Sequence, residues 1–349
     1  MTTGAEGSRS RRGGKGTGRL PTMQDIADHI GVSRQLVSMV IRGLPGPSTE
    51  SRDRILAAAS ELGYRPHASA RLLRQQRTRL IGAVFAMRNP FQVRFVERLF
   101  VRAAEKGFGV ALGPTTVERP MDAVVAELME QRVEALVAFN PPDSAALAGA
   151  SDVVPVVWLG EWAQQPEFDN VHVDETEGLR LAVEHLVGLG HRDIAYAGGQ
   201  GRQVGRDRAE AYRAAMTTFG LSDRIEVLSG GFSEEDGAAA AREIVARARR
   251  PTAVVCCGDQ CAAGVLAVFA RSGVQVPRDV SVVGFDDSYL SSLSYHRLTS
   301  VRQDVEATVE ATLGSVLDRI AGDDGPRRVV ATATRLVVRE STGPVRTGA

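Results

Sequence analysis

Residues 22–38, TMQDIADHIGVSRQLVS, carry the strongest local signal in this 349-residue chain. Thr22 stands where a helix N-cap is expected, and Asp25 follows three residues later, at the spacing of a capping box. The apolar residues of this segment share one helical face, and Gly31 ends the helix. Ser33 is then placed to cap a second helix. Two short helices joined by a tight glycine-containing turn predict a helix-turn-helix.

A third helix is expected directly after the second. The segment Gly-Leu-Pro-Gly-Pro at residues 43–47 interrupts the helical pattern. Ser48 or Thr49 is placed to cap the next helix, which runs to Leu62 before Gly63. Periodicity alone also fits a generic three-helix bundle, so the helix pattern does not by itself establish DNA binding.

From Leu80 onward, apolar runs alternate with helical stretches, a pattern that predicts parallel sheets with helices on both faces. Because the runs are too many for one sheet, we expect an α/β core of two doubly wound subdomains. Ligands of such folds bind at the carboxyl ends of the strands. The predicted strands are Leu80–Ala86, Gly109–Leu112, Ala135–Phe139, Val153–Trp158, Asp193–Ala197, Ile225–Leu228, Ala253–Cys257 and Val280–Val283.

Charge is distributed unevenly, although the formal net charge of the chain is +0. Residues 1–79 contain 14 Lys and Arg against 6 Asp and Glu, so the rest of the chain carries an equal negative excess. A basic front on an acidic body is typical of a nucleic-acid-binding protein. Much of the excess lies in the Gly-, Ser- and Arg-rich residues 1–19, which a solvated disordered arm would also explain.

Other functional classes receive little support. No apolar run approaches the roughly 18 residues of a membrane span, and residues 1–19 lack the apolar segment of a signal peptide. We therefore expect a cytoplasmic protein without membrane association. The three cysteines, at 256, 257 and 261, have no nearby histidine, so buried reduced thiols are favoured over a zinc site or a disulfide framework. We expect neither a metal nor a cofactor.

These motifs, in this order, resemble the LacI/GalR family of bacterial transcription regulators. The head pattern at 22–38 is followed by Glu61-Leu-Gly-Tyr-Arg-Pro66 and by the hinge-like His67-Ala-Ser-Ala-Arg-Leu-Leu-Arg74. The resemblance extends from about Leu20 to Glu340. Its markers in the core are Asn89-Pro-Phe91, His185–His191, Arg206 ahead of Tyr212, Asp259-Gln260, Pro277, Ser281–Asp287 and Leu298–Gln303.

The resemblance implies a homodimeric repressor that binds a palindromic double-stranded DNA operator and responds to a small-molecule effector, a sugar or a derivative. It implies a helix-turn-helix head and a periplasmic-binding-protein-like core of type I. The expected boundaries are a basic arm at 1–19, a head at 20–65, a hinge helix and linker at 66–79, a core at 80–340 and a tail at 341–349. Within the core, crossovers between the subdomains are expected near residues 173 and 303.

The first residues of the second helix are the predicted DNA contacts, because this end of a recognition helix faces base edges. Arg34 suits guanine and Gln35 suits adenine, although a phosphate contact is the alternative for Arg34. Ser38, one turn later, reaches a phosphate or a base edge. The predicted DNA-binding set is completed by the cap residue Ser33 and by two backbone contacts, Thr22 and Arg42.

The hinge segment Pro66–Arg74 is too short to be a stable helix alone in water. The resemblance implies that it folds when two copies pair on DNA. It also implies that Leu73, flanked by Ala70, enters the minor groove and kinks the duplex. The alternative is a leucine that packs in an ordinary linker helix.

The effector site is predicted largely from the resemblance. Arg206 and Asp286 are expected to hold ligand hydroxyls. Asp259 either binds the ligand or caps the helix after it, and Gln303 lies at a crossover where it would sense closure. Phe91 and Trp158 either stack on a sugar face or belong to the core. The ligand itself stays open, because Met87, Gly160 and Gly258 stand where family members often carry polar residues.

Two rival functions remain at this point. A transport receptor would share the core, but the Ser33–Ser38 helix and the expected absence of a signal peptide argue against it. A dinucleotide-linked enzyme is suggested by Gly198–Gly205, yet the spacing of a G-x-G-x-x-G motif from Gly199 places Val204 at its last position. No spacing of nucleophile and base or of metal ligands predicts an enzyme.

Overall fold

The computed structural model describes residues 21–64, 77–140, 145–161, 168–199 and 203–346. Two units are present, of which the first ends at Arg77 and the second begins at Thr78. We call the described residues 21–64 the head and the second unit the core.

The head consists of three helices, α1 (Met23–Ile30), α2 (Arg34–Ile41) and α3 (Thr49–Glu61). Each helix begins at a side-chain cap, which confirms Thr22, Ser33 and Ser48 as N-caps. Gly31 closes α1 with a φ of 68°, a left-handed conformation that glycine adopts without strain. The helices enclose a small apolar core, formed by Ile26, Ala27, Val37, Val40, Ile55, Ala58 and Ala59.

The first subdomain of the core is built on a six-stranded sheet in the order β11-β5-β4-β3-β1-β2, with all pairs parallel. Apolar clusters cover both faces of the sheet, as the sequence predicts for a doubly wound fold. Its elements are β1 (Leu80–Ala86), α4 (Pro90–Glu105), β2 (Gly109–Thr115), α5 (Met121–Glu130), β3 (Ala135–Phe139), α6 (Ala145–Ser151), β4 (Val156–Gly160), β5 (Asp169–Val173), α12 (Val305–Ile320) and β11 (Val329–Thr332).

The second subdomain repeats this plan in the order β12-β10-β9-β8-β6-β7, with only β12 antiparallel to its neighbour. Its elements are α7 (Glu175–Gly188), β6 (Ile194–Ala197), α8 (Gln203–Thr218), β7 (Glu226–Leu228), α9 (Glu234–Ala246), β8 (Ala253–Cys256), α10 (Asp259–Arg271), β9 (Ser281–Asp286), α11 (Tyr289–Ser292), β10 (Thr299–Gln303) and β12 (Thr334–Val337). Helices α9 and α10 approach so closely that a Cβ atom at Gly264 would lie 1.8 Å from the Glu234 carbonyl oxygen.

The chain passes between the two subdomains three times within the described core. It crosses after Val173, after Gln303 and between Thr332 and Thr334. The sequence analysis did not anticipate the third crossing. It also overlooked β5, β10 and β12, which are short and contain several polar residues, and β11, which is only four residues long.

The segment after the last strand packs against the second subdomain. Ser341 is 2% exposed and hydrogen-bonds to the Thr299 amide and the Val282 carbonyl oxygen. The Gly343 carbonyl oxygen lies 3.0 Å from a ring nitrogen of His191. Residues 341–346 therefore contribute to this subdomain, where the sequence analysis expected a tail. In the described ranges, no helix combines the length and apolar character that a bilayer crossing requires.

Candidate DNA-binding surface and effector site

The recognition helix α2 has one buried face and one exposed face. Val37 and Val40 are buried in the head core. Arg34, Gln35 and Arg42 are exposed, and Ser38 is half-buried. The helix thus presents its predicted base-contacting residues to solvent on a scaffold fixed by apolar packing, the arrangement that insertion into a major groove requires.

The two cap residues of the predicted DNA-binding set hold the helix ends. The Thr22 hydroxyl donates to Asp25 at 2.6 Å and accepts from the Asp25 amide. The Ser33 hydroxyl accepts from the Leu36 amide at 3.2 Å and so fixes the first turn of the recognition helix. Ala70 and Leu73 lie outside the described residues.

The positive charge of the amino-terminal region lies outside the described head. Residues 21–64 contain four arginines against five carboxylates, and the excess is therefore in residues 1–20 and 65–79. The burial of Tyr64 raises the pKa of its hydroxyl, while the charge of Arg34 opposes that rise. The end of α3 therefore lies near Arg34, a proximity that the helix periodicity did not indicate.

In the core, a charged cluster lies at the carboxyl ends of β9 and β10. Its centre is Arg208 on α8, which is 5% exposed. The Arg208 Nη1 donates to the Cys257 carbonyl oxygen at 2.5 Å and lies 3.4 Å from Asp286 Oδ1. On its other side, Arg208 Nε is 3.6 Å from Glu175 Oε1. We call Arg208, Glu175, Asp286, Asp259 and Gln303 the effector cluster, because the sequence analysis predicts three of them, Asp286, Asp259 and Gln303, as effector contacts.

Two aromatic rings lie close to the Arg208 guanidinium. Its central carbon lies 3.8 Å from the centroid of the Phe285 ring and 5.6 Å from that of the Phe232 ring. The first distance is typical of a cation–π contact. A Cβ atom at Gly258 would lie 3.5 Å from both Asp286 and Phe232, so the absence of a side chain at this position leaves space beside them.

Asp286 and Gln303 are joined directly. Gln303 Nε2 donates to Asp286 Oδ1 at 2.5 Å, and both side chains are largely buried. Asp286 and Asp287 have φ values of 107° and 46°, which are uncommon for residues with a side chain. The Asp286 carboxylate accepts from Arg208, whereas the Asp287 carboxylate accepts from Arg302 and Arg339.

Asp259 connects neighbouring segments of the site through hydrogen bonds. It is the first residue of α10, and its carboxylate accepts from the Ser288 amide and the Ser300 hydroxyl, each at 2.6 Å. Burial, with a contribution from the charge of Asp286, raises the pKa of Asp259 to about 8. The sequence analysis left ligand binding and helix capping open for this residue, and the structure shows a third arrangement that links three segments.

Arg206 lies outside the effector cluster. It is exposed and donates to Gln203 Oε1 at 2.7 Å. Residues two apart on a helix point in nearly opposite directions, so Arg206 and Arg208 cannot face the same side of α8. Val204, Arg208, Ala211, Tyr212 and Ala215 form the buried stripe of this helix. An arginine within an apolar stripe is the sequence signal for Arg208, a residue that the sequence analysis did not consider.

The two aromatic candidates are separate from the cluster. Phe91 is 7% exposed and packs edge-to-face on Phe139, with ring centroids 6.2 Å apart. Trp158 on β4 is half-buried against an apolar cluster of the first subdomain. Its indole Nε1 is buried without a hydrogen-bond partner in the described ranges. The sequence analysis also missed Phe232 and Glu175, whose partners are distant in sequence.

The cysteines are free and buried, as the sequence predicts. In the described part of the chain, no group of three His, Cys, Asp or Glu residues is arranged to hold a metal ion. Surface pockets of about 480 and 600 Å³ lie at the amino ends of strands, beside Arg319 and beside Arg249. Ligands of doubly wound folds bind at the opposite, carboxyl ends, where the effector cluster lies.

The buried position of Glu175 predicts that the stability of the protein depends on pH. Burial, which outweighs the favourable charge of Arg208, raises the pKa of Glu175 to about 7. Between about pH 4.5 and 7 the native carboxyl keeps a proton that the unfolded chain has lost, so this group makes the protein less stable as pH rises. Glu175→Gln removes the effect. We expect the stability of the variant relative to the parent to rise by up to about 3 kcal/mol over this interval, as measured by urea unfolding at a series of pH values.

Glu177→Gln is the matched control for this titration. Glu177 lies on the same first turn of α7, is partly exposed and pairs with Arg180. The hydrogen bond from Arg180 lowers the pKa of Glu177. The stability of Glu177→Gln relative to the parent should therefore not rise as pH rises. If the stability of Glu175→Gln relative to the parent did not change with pH, Glu175 would have the same pKa in the native protein as in the unfolded chain.

Comparison with known proteins places both units in one family. Residues 22–67 match the family described as bacterial regulatory proteins, lacI family, and residues 183–342 match a periplasmic binding protein-like domain. The HTH-type transcriptional regulator CelR of Thermobifida fusca is 33% identical over 337 residues, which cover 93% of this chain and 98% of CelR. The chain belongs to the LacI family.

Solved structures extend this likeness over both units of the LacI-family chain. A lac repressor dimer bound to operator and the anti-inducer ONPF is 28% identical and covers 93% of this chain and 100% of its own, with a TM-score of 0.79. A CelR–cellobiose complex is 30% identical and covers 92% of this chain and 99% of its own, with a TM-score of 0.67. The protein is a LacI-family transcriptional regulator with a DNA-binding head and an effector-binding core.

Proposed function

We propose that this LacI-family protein is a repressor that binds a palindromic operator as a homodimer. Its affinity for the operator falls or rises when a carbohydrate binds in the core. The effector cluster carries the proposal. It supplies a guanidinium, a carboxylate and an amide at adjacent positions, which are the planar donors and acceptors that bind sugar hydroxyl groups. The lac repressor dimer on operator and the CelR–cellobiose complex support the same assignment.

In this proposal the core acts without catalysis. Arg208 and Asp286 hold the ligand, Gln303 links them to the second crossover, and Phe232 offers a ring face beside them. Arg206, Phe91 and Trp158 stay predicted contacts of lower weight, since their side chains lie away from the cluster. The effector acts by favouring one of two arrangements of the protein that differ in operator affinity. Such a regulator works where the chromosome is, and we propose a cytoplasmic location.

Operator selection from a random DNA library tests the DNA half of the proposal. We expect a palindrome with half-sites about one helical turn apart, bound by two chains. Footprinting of the selected site, with and without a panel of sugars that includes cellobiose, then tests the response. Protection of one asymmetric half-site by a single chain would contradict the dimer, and an operator affinity indifferent to every ligand that binds the core would contradict the control by effector.

Arg34→Ala tests the recognition helix. The side chain is exposed at the start of α2, where it can reach a guanine edge. We expect a loss of about 1–3 kcal/mol in operator binding, concentrated at one base position. Fluorescence anisotropy with operators substituted one position at a time measures this. A loss that is equal across all the substituted operators would make Arg34 a phosphate contact instead. Arg54→Ala, an exposed residue on α3, serves as the comparison.

The hinge remains a prediction from the sequence. We propose that residues 66–74 fold when two copies meet on the operator, with Leu73 and Ala70 in the minor groove. Short helices gain their stability from such contacts and not from their own hydrogen bonds.

A further inference from the structure

The buried charges of the effector cluster do not leave a cation available. Arg208 supplies one positive charge to the cluster, and two carboxylates lie beside it, those of Glu175 and Asp286. The third carboxyl group, Asp259, interacts with Asp286. Glu175 and Asp286 lie 3.6 and 3.4 Å from the guanidinium nitrogen atoms. Both acids and the arginine are almost completely buried, so solvent screens their interaction only weakly.

The charge of the cluster depends on which of its acids carry a proton. Burial raises the pKa of Asp286, while the charge of Arg208 and hydrogen bonds from Gln303 and Arg208 oppose that rise. Burial raises the pKa of Asp259 to about 8 and that of Glu175 to about 7. When both are protonated, Asp286 still balances Arg208 and the cluster is neutral. When all three acids are ionised, the cluster carries a net charge of −2. It becomes positive only at a pH where Asp286 is protonated as well.

The neighbouring arginines are either ion-paired or exposed to solvent. Arg302 and Arg339 are paired with the Asp287 carboxylate, whereas Arg94 is exposed and donates to the neutral Asp287 carbonyl oxygen at 3.3 Å. Arg88, after β1, and Arg206, on the outer face of α8, are exposed to solvent, where an ion pair is worth little.

We propose that the effector is an uncharged ligand, and that phosphorylated and carboxylated sugars are excluded because Glu175 and Asp286 already neutralise Arg208. The proposal rests on the assignment of the cluster as the effector site. Glu175 thereby becomes a residue that determines specificity. An anion brought to this cluster would lose its hydration and meet two or three carboxylates in a medium of low polarity. A neutral polyol meets the same groups as hydrogen-bond acceptors and a donor.

Inorganic phosphate is a direct probe, because it reports the availability of Arg208 without requiring the natural effector. At pH 8, and with ionic strength matched by sodium chloride, phosphate should give the wild-type core no shift in melting temperature that depends on Arg208. The Glu175→Gln/Asp286→Asn double variant, in which Arg208 is no longer neutralised, should gain roughly 3 °C at about 20 mM phosphate, as expected for a dissociation constant of about 2 mM.

Four further variants show which residue is responsible. In the Arg208→Gln/Glu175→Gln/Asp286→Asn triple variant all three charges are gone, and the gain should disappear. The single variants Glu175→Gln and Asp286→Asn give the result if the double variant does not fold, since each should show part of the gain. Glu177→Gln, on the surface of the same helix, should behave as wild type.

Two results would overturn the proposal. The first is a phosphate shift in the wild-type protein that the triple variant lacks, because Arg208 would then be available to anions. The second is the absence of a shift in the double and single variants, because neutralisation would then not be what excludes anions. Glucose 6-phosphate, glucuronate and cellobionate should likewise give no Arg208-dependent shift, and such a shift with any of them is equivalent to the first result. Failure of every neutral sugar to bind would contradict the proposed function but would leave the phosphate result interpretable.

Discussion

Arg208→Ala is expected to lower the free energy of unfolding of the core by about 3–5 kcal/mol, because it leaves buried carboxylates without their cation. The side chain is 6% exposed, and it contacts Asp286, Glu175 and the Cys257 carbonyl oxygen. Loss of its packing on Phe285 adds to the effect. Urea unfolding followed by tryptophan fluorescence measures the change, and the variant should also lose effector-dependent stabilisation.

Arg206→Ala is the matched control for this prediction. It removes an arginine from the same helix, two residues earlier, whose side chain is exposed and bonded to Gln203. We expect a change within about 0.5 kcal/mol. Comparable losses in the two variants would contradict the placement of Arg208. Replacement of Glu175 by Gln and of Asp286 by Asn in an Arg208→Gln background should restore part of the stability, since the unpaired charges are then absent.

Arg319→Ala should have an effect of similar size, about 3–5 kcal/mol, in the first subdomain. Arg319 on α12 donates to both Asp169 carboxylate oxygens, at 2.9 and 2.8 Å, and both side chains are buried. It also donates to the carbonyl oxygens of Asp323, Gly325 and Pro326, and so holds the loop before β11. One substitution would therefore leave a buried carboxylate unpaired and release a loop.

The pH dependence of this pair has a defined sign. Although burial opposes ionisation, hydrogen bonds from Arg319 and from the Arg328 amide hold the pKa of Asp169 below its usual value. This contribution to stability is present above the ordinary pKa of an aspartate and is lost as pH falls through the lowered value. The deficit of Arg319→Ala, measured by urea unfolding, should shrink in acid. Arg328→Ala, which removes only partly exposed ion pairs with Asp318 and Asp323, should cost about 1 kcal/mol or less. An equal cost for the two variants would show that the Arg319–Asp169 pair has no special weight.

The sequence by itself was sufficient for the head and for the class of the core. Caps and helix ends depend on residues three or four apart, which is why Thr22, Gly31 and Ser33 could be assigned without a structure. The strands buried on both faces, such as Ala135–Phe139, are continuous apolar runs and could also be predicted from the sequence. The order of motifs along the chain then identified the family.

Only the tertiary structure decided which polar residues meet. Glu175, Arg208 and Asp286 come from α7, α8 and β9, and no local pattern relates positions so far apart in sequence. Direction around a helix separated Arg208 from Arg206, because a step of two residues turns the side chain to the other face of α8. The polar strands β5 and β10 were not predicted from the sequence for a related reason. They are strands because their neighbours in the sheet supply hydrogen-bond partners and burial, and this information lies outside their own residues.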